Sequence, residues 1–261
     1  MITIDKKLNV VVTAGASGIG RVIAKTYLEL GCTVFVCDIS DKFIAEFKTE
    51  FPSIYIEKTD VSDYKQVKHF FENIKKQVGC IDVLINSAGI AGPTALLENV
   101  LPDEWKKTID ININGMFYCL KEAVPLIKKS GNGSIINIAS NAAFYGFPFR
   151  SPYASAKWAT IGMTKTLAME LGNYKIRVNA ICPGSVNGDR IDQVIAADAK
   201  EKGVSIKEIK ELYVKQVSLK TFVQPEEIAQ MCIYLSSEYG KSISGQAIGL
   251  DGHTEGLSTE I

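Results

Sequence analysis

Across its 261 residues the sequence has no excess of either charge: 29 Lys and Arg balance 29 Asp and Glu. That balance argues against a nucleic-acid binder, which carries a basic face, and against an acidic disordered tail. No apolar run approaches the roughly 18 residues of a membrane span. The opening segment MITIDKKLNVVV lacks the long apolar core of a signal peptide. A cytoplasmic protein with no membrane or nucleic-acid partner is expected. Histidine is scarce, with His69 and His253 alone, and the six cysteines form no CxxC and no Cys/His cluster. Buried reduced thiols are therefore expected, with no disulfide framework and no metal site. There is no internal repeat, no low-complexity segment and no Pro/Gly/Ser linker, which predicts a single domain over 1–261.

What is present is an alternation of short apolar runs with helical patterns. Strands are predicted at 8–14, 33–38, 53–60, 81–89, 134–140, 176–184 and 245–252. Most are Val- and Ile-rich without strict alternation, as strands buried on both faces are. Between them, 19–30, 41–51, 64–78, about 102–129, 153–171, 189–219 and 225–237 read as helical, with Ser62 as the cap before 64–78 and Pro225 in a first turn. Strand and helix in alternation, joined by right-handed crossovers, give an α/β fold: a Rossmann-type, doubly wound parallel sheet of about seven strands.

Ligands of such a sheet bind beyond the carboxyl ends of its strands. The first strand there meets Thr13-Ala14-Gly15-Ala16-Ser17-Gly18-Ile19-Gly20. Small residues let backbone approach a pyrophosphate, and the helix that follows offers it free N–H groups and a positive dipole end. Gly15, Ser17, Gly18, Ile19 and Gly20 are the candidate contacts. Asp38 ends the second strand, where a carboxylate accepts from ribose hydroxyls and repels a 2′-phosphate. Ile39 and Ser40 follow it, with no Arg to receive that phosphate. The expected cofactor is NAD.

These motifs, in this order, resemble the short-chain dehydrogenases/reductases along nearly the whole chain. The resemblance implies that Asp60 and Val61 contact adenine, that Asn86-Ser87-Ala88-Gly89 lines the cofactor through Asn86, Ala88 and Gly89, and that Pro183, Gly184 and the Val186 backbone meet the nicotinamide end. It also implies a catalytic set of Asn112, Ser140, Tyr153 and Lys157. Two departures stand out. Ala14 replaces the usual first glycine of the loop, and Gly188 stands where Thr is frequent, with Asn187 a candidate replacement for its cofactor bond.

The residue types suit hydride transfer, which needs a proton moved as well. Tyr153 and Lys157, four apart on a helix, face the same way. An adjacent ammonium lowers a phenol's pKa toward a working range. Tyr153 then serves as general acid or base and Ser140 as hydrogen-bond donor to the substrate oxygen. The resemblance further implies that Lys157 holds the nicotinamide ribose and that Asn112 holds a water linking Lys157 to solvent.

Ser140, Asn141, Tyr153, Arg150 and Arg190 are the candidate substrate contacts. Either arginine suits an anionic substrate or a plain surface salt bridge. Phe144, Tyr145, Phe147 and Phe149 suit a pocket wall or an oligomer contact. Within the resemblance, 188–222 is a substrate-covering flap, and helices 102–129 and 153–171 are the faces of a homotetramer or homodimer. The leading expectation is an NAD-dependent enzyme acting on a secondary alcohol or ketone. An NADPH-dependent 3-oxoacyl carrier-protein reductase and a catalytically silent dinucleotide sensor are the alternatives.

Overall fold

A computed structural model describes residues 7–254; residues 1–6 and 255–261 of the expected domain lie outside the described residues. Seven parallel strands form one sheet: β1 (Asn9–Thr13), β2 (Thr33–Asp38), β3 (Tyr55–Lys58), β4 (Val83–Asn86), β5 (Gly133–Ile138), β6 (Ile176–Pro183) and β7 (Ala247–Leu250). Their order is β3-β2-β1-β4-β5-β6-β7. The order reverses between β1 and β4, and a crevice opens there at the strands' carboxyl ends.

Alternate side chains of each strand feed two cores. Val10 and Val12 of β1 join Tyr27 of α1 (Gly18–Glu29), Phe47 of α2 (Asp41–Glu50) and Ile228 and Cys232 of α9 (Pro225–Ser236). Val11, on the opposite face, joins Phe70 and Phe71 of α3 (Tyr64–Val78), Leu120 of α5 (Gly115–Ile127) and Leu171 of α6 (Ser151–Leu171). A sheet covered on both faces has no use for polar alternation, which is why its strands read as continuous apolar runs.

Three local predictions are corrected. Asp63, not Ser62, caps α3, accepting from Lys65 and Gln66 N–H, while Ser62 bonds back to Asp60. The region 102–129 is not one regular helix: α4 (Pro102–Ile109) passes through a π turn over Asp110–Asn114 before α5. The region 189–219 is two helices, α7 (Asp189–Lys202) and α8 (Ile206–Lys215). Gly203 at φ 67 ends α7, and Ser205 with Glu208 makes a capping box that starts α8. These two helices pack a small core of their own from Ile195, Ala199, Ile209 and Phe222. Among the described residues no helix is long and apolar enough to cross a membrane, no His/Cys/Asp/Glu group suits a metal ion, and all six cysteines are free.

Candidate active site

The glycine loop is shaped by close approach. A Cβ on Gly20 would lie 2.2 Å from the Ala14 carbonyl oxygen, and one on Gly15 would press on Val36 and the Val12 carbonyl. Gly18 turns at φ 50, with nothing within 4 Å of its Cβ direction. Ser17 precedes α1 without capping it through its side chain, and the first turn carries no acid. The N-terminal N–H groups of α1, beginning near Ile19, thus meet no competing side-chain anion. That arrangement fits a dinucleotide pyrophosphate.

Asp38 is buried at the end of β2. Its Oδ2 accepts from Ala16 N–H at 3.1 Å and its Oδ1 from Ser40 N–H at 3.0 Å. An ionised carboxylate has about four acceptor positions, so capacity remains for ribose hydroxyls. Val61 is buried beyond β3. The Asp60 carboxylate is turned to Ser62, accepting from its N–H and its hydroxyl.

Thr13, which sequence reasoning did not single out, fixes the Asn86–Gly89 segment: its Oγ1 accepts from both Ser87 and Ala88 N–H at 3.0 Å. Asn86 donates to Asn137, and Asn137 to Thr164 on α6, so a buried polar chain ties β4 to β5 and to the helix that carries Tyr153. The pattern held no signal for this chain, whose partners lie far apart in sequence.

Asn112 sits in the π turn, buried. Its Oδ1 accepts from Ile90 N–H at 2.7 Å and its Nδ2 donates to the Ile90 carbonyl at 3.0 Å. Gly89 lies between Asn112 and Lys157: a Cβ there would be 3.0 Å from Asn112 Oδ1 and 3.7 Å from Lys157 Nζ. Lys157, also buried, donates to the Ile138 carbonyl at the end of β5, 2.8 Å away. Its Nζ is 5.6 Å from the centre of the Tyr153 ring. Ser140 donates to Asn141 Oδ1, accepts from Ala142 N–H and lies beside the Tyr153 phenol. The structure thus brings Asn112, Ser140, Tyr153 and Lys157 together at the ends of β4 and β5.

The electrostatics of this group are one-sided. Burial pushes the Tyr153 phenol up. Lys157, Arg190, the nearby Ser140 hydroxyl and Arg150 together more than offset that, so the phenol lies below its ordinary value. Burial also pulls the Lys157 ammonium down, Tyr153 partly restores it, and Arg190 lowers it further.

Beyond β6, Gly184 lies against Asp251, whose Cβ would be 2.8 Å from an added Cβ. Pro183 is the last residue of β6, paired in register with Leu250. Val186 forms a single parallel bridge with Val223. That bridge uses the Ser185 carbonyl and the Asn187 N–H, and leaves the Val186 N–H and C=O outside it. Arg190 is exposed at the start of α7. Arg150 is the surprise: a surface salt bridge was one expectation, yet it is only 4% exposed and makes no ion pair among the described residues.

Comparison with known proteins agrees with this geometry. A family model described as Enoyl-(Acyl carrier protein) reductase matches residues 13–254. The chain is 35% identical to the 3-oxoacyl-(acyl-carrier-protein) reductase FabG of Thermotoga maritima, over 92% of this chain and 95% of that protein. It is 31% identical to a 3alpha-hydroxysteroid dehydrogenase of Mediterraneibacter gnavus, over 93% and 94%. An NAD+-bound xylitol dehydrogenase shares the fold, with a TM-score of 0.89, 24% identity and coverage of 94% and 98%. The chain belongs to the short-chain dehydrogenase/reductase family, oxidoreductases that act on CH–OH groups with a nicotinamide dinucleotide.

Proposed function

We propose that the protein is an NAD(H)-dependent dehydrogenase that interconverts a secondary alcohol and its ketone, with Tyr153 as general acid and base. The observation that carries this reading is the half-buried Tyr153 phenol, held below its ordinary value with Lys157 and Ser140 beside it. A nicotinamide dinucleotide, when bound, supplies the hydride acceptor and donor. In oxidation Tyr153 takes the hydroxyl proton; in reduction it returns it. Ser140 donates to the substrate oxygen as charge develops there, with Asn141 beside it. Lys157 exchanges its bond to Ile138 for the ribose hydroxyls and keeps the phenol acidic. Asn112, anchored on Ile90, holds the water through which Lys157 reaches solvent.

For the cofactor, residues 15–20 cradle the pyrophosphate and Asp38 takes the adenosine ribose. Asp60, Val61, Asn86, Ala88 and Gly89 line the adenine side and the centre. Pro183, Gly184 and Val186 line the nicotinamide end. Asp38, with Ile39 and Ser40 after it, favours NAD over NADP. Residues 188–222 act as the flap over the substrate, supported by their separate small core. A homotetramer is the assembly we favour.

The second reading is reduction of a 3-oxoacyl group, supported by the 35% identity to the Thermotoga maritima reductase. Paired titrations with NADH and NADPH, followed by alcohol oxidation read at the NADH absorbance, separate the two. Tighter NADH binding and turnover of alcohols are expected. Tyr153→Phe is expected to bind NADH normally and lose about 10²- to 10⁴-fold in kcat. Tighter NADPH binding would move the reductase reading to first place.

A further inference from the structure

Resting on the reading that Tyr153 works on a hydroxyl, we propose that Arg150 is the substrate-anchoring residue of the pocket and that the substrate carries a carboxylate close to its reacting hydroxyl. Arg150 closes the loop before α6, with its guanidinium carbon 5.6 Å from the centre of the Tyr153 ring. A cation buried to this degree normally has a carboxylate against it, because an unpaired buried charge is strongly destabilising. Here the direct protein partner is a neutral hydroxyl: Nη1 donates to Thr94 Oγ1 at 2.7 Å. Nε is buried with no acceptor, and no acceptor for Nη2 occurs among the described residues.

The nearest arrangement of negative charge explains why the guanidinium faces as it does. Thr94 donates onward to Asp198 Oδ1 at 3.4 Å, and Asp198 Oδ2 accepts from the Tyr213 hydroxyl at 2.5 Å. Asp198 is therefore one hydroxyl removed from Arg150 and does not bond it directly. Thr94, accepting on one side and donating on the other, fixes the plane of the guanidinium. What remains is its Nε and Nη2 edge, a planar pair of donors that matches the two oxygens of a carboxylate.

The field in the site agrees. The charged side chains that lower Tyr153 most are cations, Lys157, Arg190 and Arg150. A neutral alcohol would leave the buried Nε without a partner. A hydroxy acid supplies both the reacting hydroxyl and the missing anion.

The test uses hydroxy acids with the hydroxyl on carbon 2, 3 or 4, each paired with its methyl ester, and a hydroxyalkyl phosphate of matched length. Turnover is measured with NAD, and acid binding to the enzyme–NADH complex by calorimetry. The unaltered enzyme is expected to favour its best acid over the ester by about 10- to 100-fold in kcat/KM. Arg150→Met should erase that preference, with the loss falling mainly on KM for the acid. Arg150→Lys, which keeps the charge and loses the planar edge, should fall between and is the reading that counts if Arg150→Met does not fold. Equal use of acid and ester by the unaltered enzyme would overturn the proposal. So would a parallel loss for both in a folded Arg150→Met protein, or use of the phosphate in place of every acid. Arg150-dependent acid binding without turnover would sink the dehydrogenase reading and leave the anion site standing. Absence of both binding and turnover would sink both.

Discussion

At the scale of single residues, two side chains carry measurable consequences. Tyr153 is lowered by three cations acting against burial. Oxidation needs the phenolate, so its rate should rise with pH through the Tyr153 pKa and level off above it. Reduction needs the phenol and should fall through the same range. Removing the Arg150 cation weakens the lowering, so both limbs should move to higher pH in Arg150→Met, read from kcat against pH with the methyl ester as substrate. A limb that stays in place would show that the Arg150 charge is screened from the phenol. Ala14 adopts φ 49, a left-handed backbone that a β-carbon makes unfavourable by roughly 1–2 kcal/mol. Ala14→Gly relieves that strain but enlarges the entropy of the unfolded chain. A net gain of about 0.5–1 kcal/mol is expected in denaturant unfolding. The departure at Ala14 was visible in the sequence; its strain was not, because φ depends on how the loop folds under Gly20. Asp38 is similar. Its place at a strand end was legible, whereas its grip on the Ala16 N–H needs the loop and strand in register.

At the scale of elements, the strands were legible and the interruptions of helices were not. A strand buried on both faces writes itself as a Val/Ile run, but a π turn adds one residue to a turn without changing composition. The turn over 110–114 is held by Asn112, which satisfies both polar groups of Ile90. Asn112→Ala leaves them unpaired in a half-buried place and should lower stability by about 1–3 kcal/mol, measured by thermal unfolding with and without NADH. The division of 189–219 did have signals in Gly203 and in Ser205 with Glu208, both masked by the polar helical character on either side. The contact that seats α7 and α8 had none: Asp198, Tyr213 and Thr94 meet across as many as 119 residues of chain. Tyr213→Phe removes one donor to the buried Asp198 carboxylate. Hydrogen exchange across 189–215 should then speed up by about 10-fold or more while exchange in β1 and β5 stays unchanged, the signature of local opening. Uniform acceleration would show instead that these helices unfold with the whole domain.

At the scale of the whole molecule, the clustering of Ser140, Tyr153 and Lys157 was legible because a short spacing, Tyr153 to Lys157, lies on one helix, and because strand ends place Asn86 and Ser140 beside it. Its surroundings depend on tertiary fit, and Arg150 is the clearest instance: sequence offered a surface ion pair or an anion site, and its burial excludes the first. The same argument applies to the outside of the molecule. Trp105, Phe117 and Trp158 are 38%, 44% and 51% exposed on α4, α5 and α6, the helices that resemblance marks as association faces. Single exposed aromatics are ordinary on a monomer, so exposure alone does not establish an interface. A charge placed among them does discriminate. If these helices pack against a second copy, Trp158→Glu buries an unpaired carboxylate in the interface, an unfavourable change of several kcal/mol at each contact by the usual desolvation of a buried ion. Light scattering should then show the assembly of the unaltered protein giving way to a smaller species, with the far-ultraviolet spectrum of the fold preserved. An unchanged mass would mean that α6 faces solvent in the assembly and that association, if it occurs, uses another face.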